Sequence, residues 1–143
     1  MIDKCKSALE RDKYGFWALE AKKNSEFLGF VALAKIQFEC SFTGSIEIGW
    51  RLKTSAWGNG IASESARKLF EYGFLKLGLN EIVSLTAKVN QRSWKLMERI
   101  GMTRDPKDEF DHPKVDADSP LRSHVLYRLS RINWEKSQFV TTQ

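Results

Sequence analysis

The stretch Trp57-Gly58-Asn59-Gly60-Ile61-Ala62 joins an apolar strand pattern to the start of an amphipathic helix pattern. Two glycines one residue apart free the backbone for conformations that other residues avoid, and let it approach a ligand closely. The first N–H groups of the following helix have no partners within that helix. The stretch therefore predicts a turn that binds an anion such as phosphate, with a tight strand-to-helix turn that binds nothing as the alternative.

On both sides of this turn the pattern is strand, helix, strand. Residues 46–52 read Ile-Glu-Ile-Gly-Trp-Arg-Leu, which indicates a strand. Residues 61–77 repeat apolar side chains at steps of three and four, which indicates a helix that Gly78 ends as a left-handed residue. Residues 81–89 are β-branched and alternating, and a right-handed crossover makes the two strands parallel.

The amino-terminal part predicts an antiparallel hairpin. Residues 14–20 and 26–34 are apolar and are separated by a polar turn, and the hairpin is expected to continue into the strand at 46–52 as a meander. Residues 2–11 carry apolar side chains at helical spacing, which predicts a short helix before the hairpin.

The carboxyl-terminal part predicts one more helix and one more strand. Asn90 is a suitable N-cap, because its side chain accepts a hydrogen bond from a first-turn N–H group. The predicted elements are a helix at 91–100, a possible short strand at 102–107, a polar loop at 108–121 and a strand at 124–129. The tail at 130–143 carries Trp134 and Phe139 but few other apolar residues.

Length and charge narrow the class of protein. A chain of 143 residues predicts a single domain covering 1–143, with its core at 14–131. Lysine and arginine total 23 against 18 acidic residues, for a net charge of +5 and a pI near 9.3. Such a balance favours anionic partners. The charges are dispersed and no nucleic-acid-binding motif is present, so no specific nucleic-acid partner is expected.

Cysteine usage and hydropathy bear on location. Cys5 and Cys40 lie far apart and outside any metal-binding or redox motif, which indicates two reduced thiols. No apolar run reaches the roughly 18 residues that a bilayer span requires, and no leader pattern is recognisable. A cytoplasmic protein without membrane association is therefore expected.

Taken together, three motifs in order resemble the GNAT superfamily of acetyl-CoA-dependent N-acetyltransferases, in its RimJ/RimL-like branch of ribosomal-protein N-terminal acetyltransferases. They are Glu47 to Leu52, Trp57 to Glu64, and Asn90 to Ser93 followed by Met97-Glu98-Arg99-Ile100-Gly101-Met102. The resemblance extends from about Tyr14 to Arg131. It implies an α/β (α+β) fold: a mixed, mostly antiparallel sheet with a splayed parallel strand pair and helices on both faces.

The resemblance also implies how acetyl-CoA binds. The pantetheine arm would lie between strands 46–52 and 81–89, bonded by backbone groups of residues 50–52. Amides from Gly58 to Ser63 would hold the pyrophosphate, while Asn90 and Ser93 would contact the far side of the arm. The implied cofactor-binding residues are Trp50, Arg51, Leu52, Trp57, Gly58, Asn59, Gly60, Ile61, Ala62, Ser63, Asn90 and Ser93.

The chain departs from the family pattern in three respects. Trp57 replaces the glutamine or arginine that opens the glycine loop in many members, so any phosphate contact from that side chain is lost. Met97 replaces the tyrosine that protonates the departing thiolate, which leaves Ser93 as the first candidate acid. The family's usual first strand and helix are also missing before residues 2–11. We therefore expect the edge of strand 14–20 to be covered either by residues 1–11 or by a second subunit, and we favour a homodimer.

Acetyl transfer requires a base for the amine, and Glu47 is the candidate because it lies on a strand that lines the slot. A solvent-facing strand glutamate is the equally weighted alternative. Ser93 could instead be a first-turn residue that bonds locally. His112 and His124 lack a third ligand at metal spacing, so no metal is expected, although both histidines could line an acceptor pocket.

The sequence thus predicts an enzyme that transfers acetyl from acetyl-CoA to a primary amine, with a protein N-terminus as one possible acceptor. Two alternatives stay open. A non-catalytic acyl-CoA-binding or interaction module is suggested by Met97 and by the missing amino-terminal elements. A basic RNA- or ribosome-binding domain is suggested by the pI alone.

Overall fold

The computed structural model describes residues 14–141. Within them the chain forms seven strands and three α-helices. The strands are β1 (Phe16–Glu20), β2 (Phe27–Lys35), β3 (Ile46–Leu52), β4 (Glu81–Ala87), β5 (Thr103–Arg104), β6 (Phe110–Asp111) and β7 (Ser123–Ser130). The helices are α1 (Ile61–Glu71), α2 (Gln91–Arg99) and α3 (Arg131–Thr141). The helix expected at residues 2–11 lies outside the described residues.

The described strands form one mixed sheet in the order β1-β2-β3-β4-β7-β5, and β6 also pairs with β7. Every pair is antiparallel except β3 with β4, as the crossover predicted. β3 and β4 are paired at a single position, Glu47 with Val83. By contrast, β2 and β3 are paired along their whole common length. The parallel strands therefore diverge beyond Glu47 and leave a slot toward their carboxyl ends.

A serine side chain lies at the point where these strands separate. The hydroxyl of Ser84 donates a 2.8 Å hydrogen bond to the carbonyl oxygen of Ile48. Ser84 and Ile48 are each only 1% exposed, so water does not reach this carbonyl and the hydroxyl supplies its partner. A side chain thus takes over where the backbone pairing of β3 and β4 ends.

All three described helices pack on the same face of the sheet, because their buried side chains join one cluster with alternate residues of β2, β3, β4 and β7. Within residues 14–141 no helix packs on the opposite face, and the helix predicted at residues 2–11 lies outside the described residues, so the expectation of helices on both faces is not tested there. The opposite face is covered in part by a second cluster, which the segment after β2 supplies with Ile36 and Phe42. Glu47 and Val83 lie on that second face, since their neighbours Ile48 and Ile82 point toward the helices.

The carboxyl-terminal tail, for which the sequence pattern predicts no element, is helical from Arg131 to Thr141. Trp134 is 9% exposed, and its ring centroid lies 5.2 Å from that of Phe74 in the main cluster. Ser130 accepts a hydrogen bond from the backbone N–H of Asn133 at 3.2 Å, as a capping side chain does. One buried tryptophan therefore anchors a segment whose sequence is otherwise polar.

The first helix also differs from its prediction. Its α-helical part ends at Glu71, and Tyr72–Lys76 continue as a π-helical turn. Gly78 has a φ of +67°, which confirms the expected left-handed residue at the end. None of the helices within residues 14–141 is long and apolar enough to cross a membrane.

Candidate active site

The glycine turn has the backbone geometry that its sequence requires. Gly58 and Gly60 have φ values of +81° and +73°, in the left-handed region that glycine adopts without strain. A Cβ at either position would meet no atom within 4 Å, so the turn faces open space. Gly60 is the N-cap of α1, and the first N–H groups of that helix have no partners within the helix.

A cavity of about 960 Å³ opens at this turn. It lies between the end of β3, the glycine turn, the start of α1 and one side of α2. Its lining residues are Trp50, Arg51, Leu52, Ala56, Trp57, Gly58, Gly60, Ile61, Ala62, Ser63, Asn90, Arg92, Ser93, Lys95, Leu96, Glu98 and Arg99. The volume is at the upper end of the range typical of small-molecule sites and suits a nucleotide-sized ligand.

The structure brings the expected cofactor-binding residues together from three separate segments. All of them except Asn59 line the cavity. The side chain of Asn59 donates to the carbonyl oxygens of Ala56 and Trp57 at 3.4 and 3.5 Å. Asn59 therefore braces the turn from behind.

The wall formed by α2 carries positive charge that the sequence reasoning missed. Arg92, Lys95 and Arg99 all line the cavity, and their spacing of three and four residues places them on one side of the helix. That spacing could have been read from the sequence as a basic stripe. Arg51 adds a further cation from β3, whereas Glu98 is the one carboxylate among the described lining residues. The cavity therefore favours an anionic ligand.

Two of the lining side chains stack on each other. The guanidinium carbon of Arg92 lies 3.9 Å from the centroid of the Trp57 ring, within the range of a cation–π contact. The indole nitrogen of Trp57 donates to the carbonyl oxygen of Leu52 at 3.2 Å. The ring is thus tied to the end of β3 and holds the Arg92 guanidinium next to the glycine turn.

The start of α2 contains the candidate acid. The side-chain oxygen of Asn90 accepts a hydrogen bond from the backbone N–H of Ser93 at 3.3 Å, which confirms Asn90 as the N-cap. Ser93 lines the cavity, and within the described residues no hydrogen bond occupies its hydroxyl. Met97 is 1% exposed and packs in the main core, so it does not reach the cavity.

Glu47 lies where β3 and β4 are still paired, on the sheet face opposite the helices. It is partly buried, and this burial raises the pKa of its carboxyl above the ordinary value of 4.5. Glu47 is not part of the cavity lining.

The two histidines belong to an aromatic group on the second face. The ring centroids of His112 and His124 are 4.9 Å apart, and Phe38 lies 4.6 Å from His112. Burial lowers the pKa of His112, helped by the charges of His124 and Lys114. Within residues 14–141 no three metal-binding side chains come together. Neither histidine lines the cavity.

Comparison with known proteins identifies a family. Residues 1–103 match the family described as "Acetyltransferase (GNAT) domain". The FsC-acetyl coenzyme A-N(2)-transacetylase of Aspergillus fumigatus is 30% identical over 131 residues, 87% of this chain and 54% of that protein.

Solved structures share the fold. Ribosomal-protein-S5-alanine acetyltransferase from Vibrio fischeri superposes with a TM-score of 0.74 at 16% identity, covering 92% of this chain and 69% of the other. Spermidine/spermine N-acetyltransferase SpeG from Vibrio cholerae superposes with a TM-score of 0.73 at 15% identity, covering 94% of this chain and 75% of the other.

The chain spans about half the length of the curated relatives it matches: 54% of the Aspergillus fumigatus protein and 55% of the uncharacterized protein YkkB of Bacillus subtilis. The family match, however, covers most of the present chain, and the described residues show the mixed sheet with one parallel strand pair. The chain therefore belongs to the GNAT acetyltransferase family.

Proposed function

We propose that this protein transfers the acetyl group of acetyl-CoA to a primary amine. The observation that supports the proposal most directly is the cavity at the divergence of β3 and β4, with a glycine turn and a helix start at its mouth. Open amides and a basic wall suit the phosphates of coenzyme A. The slot between the strands suits its extended pantetheine arm.

In the proposed complex the pantetheine arm lies beside residues 50–52 of β3, with Asn90 and Ser93 on its other side. The pyrophosphate occupies the open space in front of Gly58 and Gly60, where the α1 amides donate to it. These residues all line the same cavity. The thioester then lies near the point where β3 and β4 separate.

The proposed reaction is direct attack by the amine nitrogen on the thioester carbonyl carbon. Glu47 removes the proton of the amine, directly or through a water molecule, and backbone N–H groups of the diverging strands stabilise the oxyanion. The carbon–sulfur bond then breaks. The Ser93 hydroxyl donates a proton to the departing thiolate and is reprotonated through water, to which Glu47 returns the proton that it took from the amine. A coenzyme A thiol has a pKa near the ~8.5 of cysteine, so a weak donor is sufficient.

For the acceptor we propose the α-amine of a protein, as in the RimJ/RimL-like branch. An α-amine has a pKa near 8, whereas that of lysine is about 10.4. At pH 7.5 roughly a quarter of an α-amine is therefore already neutral, against roughly 0.1% of a lysine amine. A single partly buried carboxylate such as Glu47 is therefore better suited to deprotonate an α-amine than a lysine amine. The similar proteins are named for different acceptors, so the experiment below compares several amines.

A second candidate is a non-catalytic acyl-CoA-binding module, because Met97 is buried in the core and cannot donate a proton to the thiolate. An assay of thiol release from acetyl-CoA separates the two. The acceptors are a peptide with a free N-terminus and no lysine, a peptide with a blocked N-terminus and one lysine, and spermidine. Release with the first peptide is the expected result.

Each other outcome has a definite meaning. Release with the lysine peptide or spermidine alone would reject the proposed acceptor and keep the enzyme. Coenzyme A binding without release for any amine would favour the binding module. Absence of coenzyme A binding would contradict the whole proposal.

A further inference from the structure

The Arg92–Trp57 stack places a cation at a defined position in the cavity. Arg92 belongs to α2 and Trp57 to the segment after β3, so the contact joins two walls of the cavity. Trp57 directly precedes Gly58. The guanidinium is therefore held beside the glycine turn that lines the cavity.

The backbone alone supplies little charge for the group that binds there. A helix start corresponds to about half an elementary charge, whereas a pyrophosphate diester carries about two negative charges. A guanidinium adds a full charge and a fork of donors that fits two phosphate oxygens. Stacking on Trp57 restricts this long side chain before a ligand arrives, so less of its freedom is lost on binding.

We infer that Arg92, held by the Trp57 ring, is a positioning residue for the pyrophosphate of coenzyme A. The inference rests on the proposed function and adds a specific residue to it. Arg92 closes the phosphate site from the α2 side, opposite the amides of the glycine turn. It thereby makes the site selective for thioesters that carry the pyrophosphate over phosphate-free pantetheine thioesters.

The other cations of the wall lie farther along α2. Lys95 and Arg99 follow Arg92 by three and seven residues, about 4.5 and 10.5 Å along the helix axis. Only Arg92 stacks on the residue next to the glycine turn. We therefore expect Arg99→Ala to weaken binding less than Arg92→Ala does.

The test measures dissociation constants by calorimetry for coenzyme A, 3′-dephospho-coenzyme A and pantetheine. Arg92→Ala should weaken binding of the first two about tenfold, because both carry the pyrophosphate, and should leave pantetheine unchanged. Arg92→Lys should lie between the wild type and Arg92→Ala, since it keeps the charge but loses the planar fork. In the acetyl-transfer assay, KM for acetyl-CoA should rise with kcat nearly constant.

Arg104→Ala is the matched control. Its guanidinium carbon lies 5.7 Å from the Trp94 ring, so the variant also removes an arginine over a tryptophan, but Arg104 does not line the cavity. Its affinities should stay within twofold of wild type.

Three results would overturn the inference. The first is an unchanged affinity of Arg92→Ala for all three ligands. The second is a loss of affinity for coenzyme A alone, which would assign Arg92 to the 3′-phosphate. The third is an equal loss of affinity for pantetheine, which would indicate a general structural effect. Failure of the wild-type chain to bind coenzyme A would instead reject the proposed function itself.

Discussion

The hydroxyl of Ser84 and the carbonyl oxygen of Ile48, 2.8 Å apart, join β3 and β4 just beyond their last backbone pairing. The bond is fully buried, so it satisfies a carbonyl that the divergence of the strands would leave unpaired. A hydroxyl in this role lets the strands separate without an orphaned polar group. The slot proposed for the pantetheine arm begins at this bond.

Ser84→Ala should lower the free energy of unfolding by about 1 to 3 kcal/mol, because it leaves the Ile48 carbonyl buried without a partner. Urea denaturation followed by circular dichroism measures this. Ser65→Ala is the control, since the Ser65 hydroxyl also donates to a carbonyl, that of Ile61, but within one helix and at a part-buried rather than a fully buried position. Equal losses in the two variants would contradict the role assigned to Ser84.

Gly60→Asp should abolish the increase in melting temperature that coenzyme A causes. The substitution places a carboxylate in the open space where the pyrophosphate is proposed to bind. For the wild type, ligand at about 100 times Kd should add about 2.7 kcal/mol of stability, equal to several degrees. Differential scanning fluorimetry with and without coenzyme A measures the shift.

Gly78→Asp controls for backbone strain in this experiment. Gly78 has a similar φ of +67° and open space around it, but it lies outside the cavity lining. Both variants should be destabilised in the absence of ligand, and only Gly60→Asp should lose the coenzyme A shift. Loss of the shift in both would show that strain, rather than the site, is responsible.

Glu47→Gln should lower kcat by roughly 10²-fold or more at neutral pH, with coenzyme A affinity nearly unchanged, because it removes the proposed base. Steady-state kinetics of thiol release and calorimetry measure the two quantities. Glu71→Gln removes an exposed glutamate from the end of α1 and should not affect either. A rate for Glu47→Gln near that of the wild type would exclude Glu47 from the mechanism.

The raised pKa of Glu47 has a stability consequence with a definite sign. The Glu47 carboxyl binds its proton more tightly in the folded state than in the unfolded state. Its contribution to the free energy of unfolding is therefore most favourable below the ordinary pKa of 4.5, and it is lost as pH rises through the pKa of the folded state. Glu47→Gln should therefore melt higher than wild type at pH 7. The difference should vanish as pH falls below about 4.5, and a lower melting temperature at pH 7 would contradict the assignment.

The outer edge of β1 should support a homodimer. Among the described strands β1 ends the sheet on one side, and Phe16 on it is 43% exposed. An apolar edge of this kind pairs readily with another strand. Sedimentation at micromolar concentration should show a species near twice 16.5 kDa.

The edge can be tested by placing a charge on it. Phe16→Lys should shift the population to the monomer, whereas Ile132→Lys, at a 64% exposed position on α3, should not. A purely monomeric wild-type protein would reject the dimer.

Local patterns were sufficient for the order and type of most elements. The apolar periodicity of residues 46–52 and 61–77, separated by two glycines, predicted the strand, turn and helix that border the cavity, and alternation in residues 81–89 predicted β4. Asn90 could be predicted as a cap because capping depends on residues three positions apart. Each of these features is determined by neighbours in the chain.

Other features depend on contacts between distant residues. The polar sequence of α3 gives a weak helix signal, and Trp134 stabilises that helix only by packing on Phe74. The placement of every described helix on one face of the sheet follows from the path of the chain, which periodicity does not specify.

The site divides in the same way. The sequence by itself determined the glycine turn, because only glycine adopts its left-handed backbone without strain. The tertiary structure alone decided that Arg92 stacks on Trp57, that Ser84 bonds Ile48, and that Met97 points into the core. These relations join segments that lie tens of residues apart, or depend on which side of a helix meets the sheet, and both are set only when the whole fold packs together.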